Sequence, residues 1–250
     1  MPDAIAIIPA RYGSTRFPGK PLADDTGKPL IRHVVEAVDR APNIARVVVG
    51  TDDQRILDAV EAFGGRAVMT SPDHPNGTCR IAEVIDRLES EGVTAPIIVN
   101  IQGDEPEIEP AVIDAMVRGL EADEGAQMST IASAFTADEE PADPNITKVV
   151  TDLRDRALYF SRLAIPFDRD GAGRTVLKHA GIYAYRREFL REYVTLPATP
   201  HEQAEKLEQL RALEHGHVIA VVRASIRHHG IDTPEQYRDF VERWRAGEGR

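Results

Sequence analysis

Cysteine is nearly missing from this chain: Cys79 is its only one. One thiol excludes an intramolecular disulfide and a thiolate metal cluster. Tryptophan is equally scarce, with one residue, and aromatics make up 6% of the chain. No apolar run approaches the length needed to span a bilayer, so no membrane partner is expected. The N-terminus has no basic region leading into an apolar run, so no signal peptide is expected. A cytoplasmic location is the simplest reading of these absences. Basic charge is also in deficit. The net charge of −11 disfavours nonspecific nucleic-acid binding through a basic surface. An anionic ligand would have to be drawn by a local basic pocket. Two phosphate motifs are missing too. No G-x-G-x-x-G occurs at the first strand, and no G-x-x-x-x-G-K-[ST], because the glycine spacing is one too long and Pro21 follows Lys20.

What is present is an ordinary globular composition, 42% hydrophobic and 28% charged. The length of 250 residues suits one large domain, or one with a substantial insertion, and allows a full core. Strand and helix signals alternate in the first half. Ile5–Ile8 reads as a buried strand. Pro29–Ala41 carries Leu30, Ile31, Val34, Val35 and Val38 on one helical face. Strands follow at Val47–Val49, Arg66–Thr70 and Ile97–Ile101. Helices follow at Arg55–Phe63, from the end of the Ser71–Gly77 loop to about Ser90, and at Ala111–Leu120. This βαβα order predicts an α/β fold with a mostly parallel sheet flanked by helices.

The second half departs from that rhythm. Strands are expected at Met128–Phe135, Lys148–Thr151, Ala157–Phe160, Val176–Tyr185 and Val218–Arg223. A charged amphipathic helix is expected over Glu202–Leu213, and a last one starts at Thr233-Pro234, where Thr caps and Pro takes the first position. The region from about 140 to 215 is expected to be an inserted lobe within a single domain spanning 1–250.

The loop after the first strand carries the chemistry. Arg11, Gly13, Ser14, Arg16, Gly19 and Lys20 follow Ile5–Ile8 closely. Glycines let backbone approach phosphate oxygens, and Arg and Lys neutralise their charge. Ligands of open α/β sheets bind beyond the carboxyl ends of the strands. A second such end is Gln102-Gly-Asp-Glu-Pro106, where Asp104 suits Mg²⁺, which takes few carboxylates plus phosphate oxygens and water. Asp232, in Gly230-Ile-Asp-Thr-Pro234, is the candidate for a second acid.

Several segments together resemble one family. They are Ile8-Pro-Ala-Arg-Tyr-Gly-Ser-Thr-Arg16, Pro18-Gly-Lys-Pro-Leu22, Asn76-Gly-Thr78, Gln102-Gly-Asp-Glu-Pro106, Tyr159-Phe-Ser-Arg162, Ile165-Pro166, His179-Ala-Gly-Ile-Tyr183, Leu207-Glu-Gln-Leu-Arg211 and Gly230-Ile-Asp-Thr-Pro-Glu235. The family is the 3-deoxy-D-manno-octulosonate (Kdo) cytidylyltransferases of lipopolysaccharide assembly. The resemblance implies a Rossmann-like nucleotidyltransferase fold and the reaction of CTP with Kdo to CMP-Kdo and pyrophosphate. It implies catalysis by Lys20, Asp104 and Asp232, with both aspartates holding Mg²⁺. It implies nucleotide contacts from Arg11, Ser14, Lys20, Thr78 and Arg80. Sugar contacts are implied for Gln102, Arg162, His179, Tyr183 and Glu208, with Arg162 as the two-pronged partner of the sugar carboxylate. A homodimer is implied, with the 140–215 region as its interface.

The chain departs from the family pattern at Asn76 and Cys79, where a serine and an acid are usual, and at His228-His229. A lone cysteine is most simply a small buried hydrophobe. The histidine pair reads as a loop feature, with a phosphate contact as its candidate role. Alternatives stay open at this level: a cytidylyltransferase for amino-Kdo or a sialic acid, or a nucleotide-binding regulator without catalysis.

Overall fold

The structure is a computed structural model, and it describes residues 3–13, 16–173, 175–226 and 230–247. Two compact units divide the chain. Unit 1 comprises Met1–Asp114 and Ile226–Arg250, and unit 2 comprises Ala115–Ser225. The second unit takes in the 140–215 segment and also the strands on either side of it.

Unit 1 is built from β1 (Ala4–Ala10), α1 (Leu30–Asp39), β2 (Ile44–Thr51), α2 (Gln54–Ala62), β3 (Ala67–Met69), α3 (Gly77–Ser90) and β4 (Ile97–Asn100). Its strands run in the order β3-β2-β1-β4, and every pairing among them is parallel. Ile5, Ile7, Ile8, Val48, Val49, Ile98 and Val99 are buried. A parallel strand covered on both faces reads as such a continuous apolar run. α1 and α3 pack on β1 and β2, burying Leu30, Ile31, Val34 and Val38 from one helix and Ile81, Val84, Ile85 and Leu88 from the other. Each such side chain contributes about 1.5–3 kcal/mol. Gly50 marks how close the packing is, because a Cβ there would meet Val84 Cγ2 at 2.8 Å.

α8 (Pro234–Ala246) belongs to the same unit. Tyr237, Phe240 and Val241 bury against Leu30 and Ile231, with Phe17 alongside. The Tyr237 hydroxyl accepts from Asp25 N at 2.9 Å, and Arg243 pairs with Glu107 at 2.6 Å. Thr233 and Gln236 form the capping box that starts the helix, with Pro234 at its first position.

Unit 2 takes the chain from within α4 (Pro110–Ala122) through β5 (Met128–Ala134), β6 (Lys148–Thr151), β7 (Ala157–Ser161), β8 (Leu177–Arg186), α5 (Arg187–Tyr193), α6 (Pro200–Glu205), α7 (Gln209–Glu214) and β9 (Ile219–Arg223). β5 lies between β8, antiparallel to it, and β9, parallel to it. The β6–β7 hairpin joins through β6 to β8.

Two sequence expectations need correction here. The helix expected over Glu202–Leu213 is two helices, because Lys206 adopts a left-handed conformation with φ 55° and ends α6. The amphipathic pattern runs on because Arg211 of α7 reaches back to Glu202 of α6 at 2.5 Å. α5 was not expected at all. It follows β8 without a turn residue, so the sequence carries no break to announce it.

Candidate active site

The loop after β1 closes on itself before it presents Lys20. Gly19 N donates to Tyr12 O at 3.0 Å, and Gly19 has φ 72°. A Cβ at Gly19 would also meet the Tyr12 ring at 3.0–3.2 Å, so the position suits glycine on two counts. A short 3₁₀ turn, Lys20–Leu22, follows with Pro21 inside it.

From this turn the Lys20 ammonium donates to Asp104 Oδ2 at 2.7 Å and to Ile231 O at 2.6 Å. Asp232 Oδ1 lies 3.6 Å from the same nitrogen. Arg16 Nη2 donates to Asp232 Oδ1 at 3.0 Å. Ile231 N donates to Asp104 O at 2.8 Å, which ties the two segments by backbone as well. Three of the expected catalytic residues therefore meet at one point. Docking of α8 onto α1 is what carries Asp232 to it. Gly230 makes the approach possible, because a Cβ there would lie 3.1 Å from Glu105 Oε1 and 3.5 Å from Asp104 Oδ1.

Glu105 was not foreseen as part of this cluster. Its carboxyl is pushed up to about 8, first by burial and then by the charges of Asp104 and Asp232. Lys20 and Arg16 are the cations set against Asp104 and Asp232, and the raised Glu105 carboxyl marks how closely the acids crowd there. Among the described residues, no group of three or more His, Cys, Asp or Glu side chains is arranged to hold a metal alone. Two carboxylates beside a cationic, glycine-bearing loop nonetheless fit Mg²⁺, which keeps waters and shares its ligands with substrate phosphates.

Beside the cluster, unit 1 contains a cavity of about 340 Å³ lined by Pro9, Ala10, Arg11, His74, Pro75, Asn76, Gly77, Arg80 and Gln102. Arg11 and Arg80 are thus on its wall, as the nucleotide assignment expects. Arg80 is buried and held by Asp52, at 2.7 Å, and by the Thr70 hydroxyl. Thr78 is buried in the first turn of α3 and is not part of the wall. Ser14 lies outside the described residues, as does His228-His229. Gln102, expected on the sugar side, lines this same cavity.

The departures at Asn76 and Cys79 acquire a local explanation. Asn76 is the N-cap of α3, and its side chain accepts from Cys79 N at 2.9 Å. Asn serves this role as well as Ser. Position 79 is the third helical residue, from which an acid would complete a capping box. Arg80 takes its carboxylate from Asp52 instead, so no acid at 79 is needed to orient it.

In unit 2 the expected sugar residues separate into two groups. His179 is half-buried, and its Nε2 lies 2.9 Å from Thr130 Oγ1. Burial pushes the imidazole down to about 3, so it is neutral at physiological pH. Phe160 and Tyr183 ring it, with centroids at 4.9 and 5.5 Å. Tyr183 is raised in pKa by burial and then by the Glu208 charge. Glu208 sits at the start of α7, where its carbonyl accepts from Tyr193 Oη at 2.6 Å.

Arg162, expected on the sugar side, also bonds within the protein. Its Nε donates to Glu205 O at 2.7 Å, its Nη1 to Pro144 O at 2.9 Å and its Nη2 to Lys206 O at 3.5 Å. Three of its five donors thus brace the 144 and 205–206 segments, and one N–H on each Nη remains. Lys148 reinforces the brace from beneath. It is buried and donates to the carbonyls of Asp143, Ile146 and Arg162.

Comparison with known proteins places this geometry in context. A family model described as cytidylyltransferase matches residues 5–222. The chain is 49% identical over 249 residues to the 3-deoxy-manno-octulosonate cytidylyltransferase of Geobacter sulfurreducens, covering 95% of this chain and 98% of that one. It is 45% identical over 234 residues to an Escherichia coli protein of the same name, covering 94% and 93%. A solved structure of a CMP:2-keto-3-deoxy-manno-octonic acid synthetase in complex with CTP superposes with a TM-score of 0.92 at 43% identity, covering 98% of this chain and 99% of that one.

Proposed function

We propose a mechanism from the premise that this chain belongs to the 3-deoxy-manno-octulosonate cytidylyltransferase family. The reaction transfers CMP from CTP to the anomeric hydroxyl of Kdo and releases pyrophosphate, supplying CMP-Kdo for lipopolysaccharide biosynthesis. The hydroxyl oxygen bonds to the α-phosphorus, and the bond from that phosphorus to the pyrophosphate oxygen breaks. Little covalent work falls to the protein in such a step. Positioning and charge neutralisation carry it.

The observation that carries the reading is the meeting of Lys20, Asp104 and Asp232 beside the cavity in unit 1. Lys20 neutralises charge on the triphosphate, and Arg11 and Arg16 assist from the same loop. Asp104 and Asp232 would hold Mg²⁺. When bound, the ion supplies charge stabilisation at the phosphoryl oxygens. Arg80 and Gln102 shape the nucleotide cavity. In unit 2, His179, Tyr183 and Glu208 are the proposed contacts to the sugar hydroxyls, and a neutral His179 suits a hydroxyl better than a carboxylate.

We further propose that the protein works in the cytoplasm as a homodimer. Leu158, Leu163 and Phe167 support the dimer, because large apolar side chains stand exposed on β7 and the loop after it. Among the described residues, no helix is long and apolar enough to cross a membrane.

A pyrophosphate-release assay with CTP and Kdo tests the function. Turnover is expected with Kdo and, by a wide margin, less with N-acetylneuraminate. No release with Kdo, or a preference for N-acetylneuraminate, would reject the substrate.

A further inference from the structure

His74 stands on the wall of the unit 1 cavity, in the loop between β3 and α3. Its Nε2 lies 2.6 Å from Glu83 Oε2. The same carboxylate accepts from Ser71 N at 2.8 Å and from Arg87 Nη2 at 2.7 Å. Burial opposes ionisation of Glu83, but the bonds from Ser71, Arg87 and His74 outweigh it and pull its carboxyl down to about 2. An ionised carboxylate only accepts hydrogen bonds, so the proton of the imidazole sits on Nε2. In the neutral ring Nδ1 is then a bare acceptor, fixed in that role by the partner on the opposite nitrogen.

The rest of the cavity suits a flat heterocycle. Pro9, Ala10, Pro75 and Gly77 supply apolar walls. A Cβ on Gly77 would meet Pro9 Cγ at 3.2 Å, so Gly77 and Pro9 pack together as one continuous apolar wall. Lys20 and Arg16, which attract the phosphates, are not part of this lining, and of the phosphate-directed cations only Arg11 reaches it, so the triphosphate belongs at its Arg11 edge and the apolar part is left for the base. The base is therefore the portion of the nucleotide that the cavity takes. Cytosine carries a 4-amino donor where uracil carries a carbonyl acceptor.

We infer that His74, oriented by Glu83, is the residue that selects cytosine over uracil, by offering Nδ1 as an acceptor to the 4-amino group. Glu83 acts through His74 and is a positioning residue. Uracil would set its 4-carbonyl oxygen against the same lone pair. The inference rests on the functional reading above, since it presumes a cytidine nucleotide in this cavity.

A cycle between protein and substrate tests it. kcat/KM is measured by pyrophosphate release with saturating Kdo, at a pH above the ordinary imidazole range. The substrates are CTP, UTP and pyrimidin-2-one riboside triphosphate, which lacks the 4-amino group. The enzymes are the unaltered protein and His74→Phe. Removing the amino group should lower kcat/KM by about 100-fold in the unaltered enzyme and by less than about 10-fold in His74→Phe. Each ratio is internal to one enzyme, so partial misfolding of the variant cancels. Equal ratios in the two enzymes would overturn the inference while leaving the CTP-dependent activity standing. Absence of CTP turnover in the unaltered protein would instead overturn the functional reading. A ¹⁵N spectrum of the free protein gives an independent arm. A His74 proton on Nε2 supports the assignment, and one on Nδ1 refutes it.

Discussion

At the scale of single residues, Lys20 has two tasks. It keeps Asp104 and Asp232 together, at 2.7 and 3.6 Å from its nitrogen, and in the proposed mechanism it presents a charge for the triphosphate. Lys20→Ala removes a preorganised cation and leaves three acids, Glu105 included, around an empty position. We expect kcat/KM for CTP to fall by about 100-fold or more. Turnover within a few-fold of normal would exclude Lys20 from the chemistry. Metal dependence is tested at the same place. EDTA should abolish pyrophosphate release, and added Mg²⁺ should restore it. In Asp232→Asn the concentration of Mg²⁺ giving half-maximal rate should rise about tenfold or more, because ligand charge sets affinity at such sites. An unchanged requirement would remove Asp232 from the metal site.

At the scale of elements, α3 shows how a departure from a family pattern can be harmless. Asn76 and serine both place an oxygen over the amide of the third helical residue. Asn76→Ser should leave stability within about 0.5 kcal/mol, whereas Asn76→Ala should cost about 0.5–2 kcal/mol. Chemical denaturation monitored by circular dichroism measures both. A neutral alanine would mean that the cap contributes nothing to the fold. α6 illustrates the opposite case, in which one residue decides an element. Lys206 holds φ 55°, a conformation that L-residues adopt at a penalty of about 1–2 kcal/mol. Lys206→Gly removes that penalty and keeps the carbonyl that Arg162 Nη2 contacts, so the melting temperature should rise, and an unchanged or lower one would mean that the left-handed turn carries no strain.

At the scale of the molecule, each unit holds a histidine that desolvation keeps neutral. His33 is lowered to about 4, first by burial and then by Lys28, with Arg32 adding to this and Glu36 and Glu107 opposing it. Its Nε2 lies 2.7 Å from Thr26 Oγ1, and the rings of Phe240 and Trp244 meet it edge-on. An unfolded histidine titrates near 6.5, so between about pH 6.5 and 4 the unfolded chain binds more protons than the folded one. Stability is therefore fully present above that window and is lost as the pH falls through it, by at most about 3 kcal/mol for His33. His179 in unit 2 acts in the same direction. Denaturation midpoints measured from pH 7 to 4 should fall, and less steeply in His33→Gln. A flat profile would contradict neutral burial of both rings. The proposed dimer is also a property of this scale. Phe167→Asp places a charge on an exposed apolar side chain of the loop after β7. Light scattering should report a dimer for the unaltered protein and a shift toward monomer for the variant, and monomers in both would reject the assembly.

Local order was legible in the sequence because its causes are local. The run from Ile5 to Ile8 announced β1, the spacing of Leu30, Ile31, Val34 and Val38 announced α1, and Thr233-Pro234 announced the start of α8. The motif residues Lys20, Asp104 and Asp232 could be picked out by residue type and by their neighbours. Only the tertiary structure decided that they meet, because that depends on burial of Tyr237, Phe240 and Val241 against Leu30, a contact between distant parts of the chain. The same division explains the corrections. An arginine in Tyr159-Phe-Ser-Arg162 reads as a carboxylate anchor, and only the fold adds that three of its donors go to the carbonyls of Pro144, Glu205 and Lys206. An amphipathic stretch reads as one helix until Lys206 turns left-handed. Propensity and periodicity act over a few residues, whereas hydrogen-bond partners and charge balance are set by which segments fold against each other. That is why the elements and the candidate acids could be read from the sequence, and why the Lys20 cluster and the orientation of His74 by Glu83 could not.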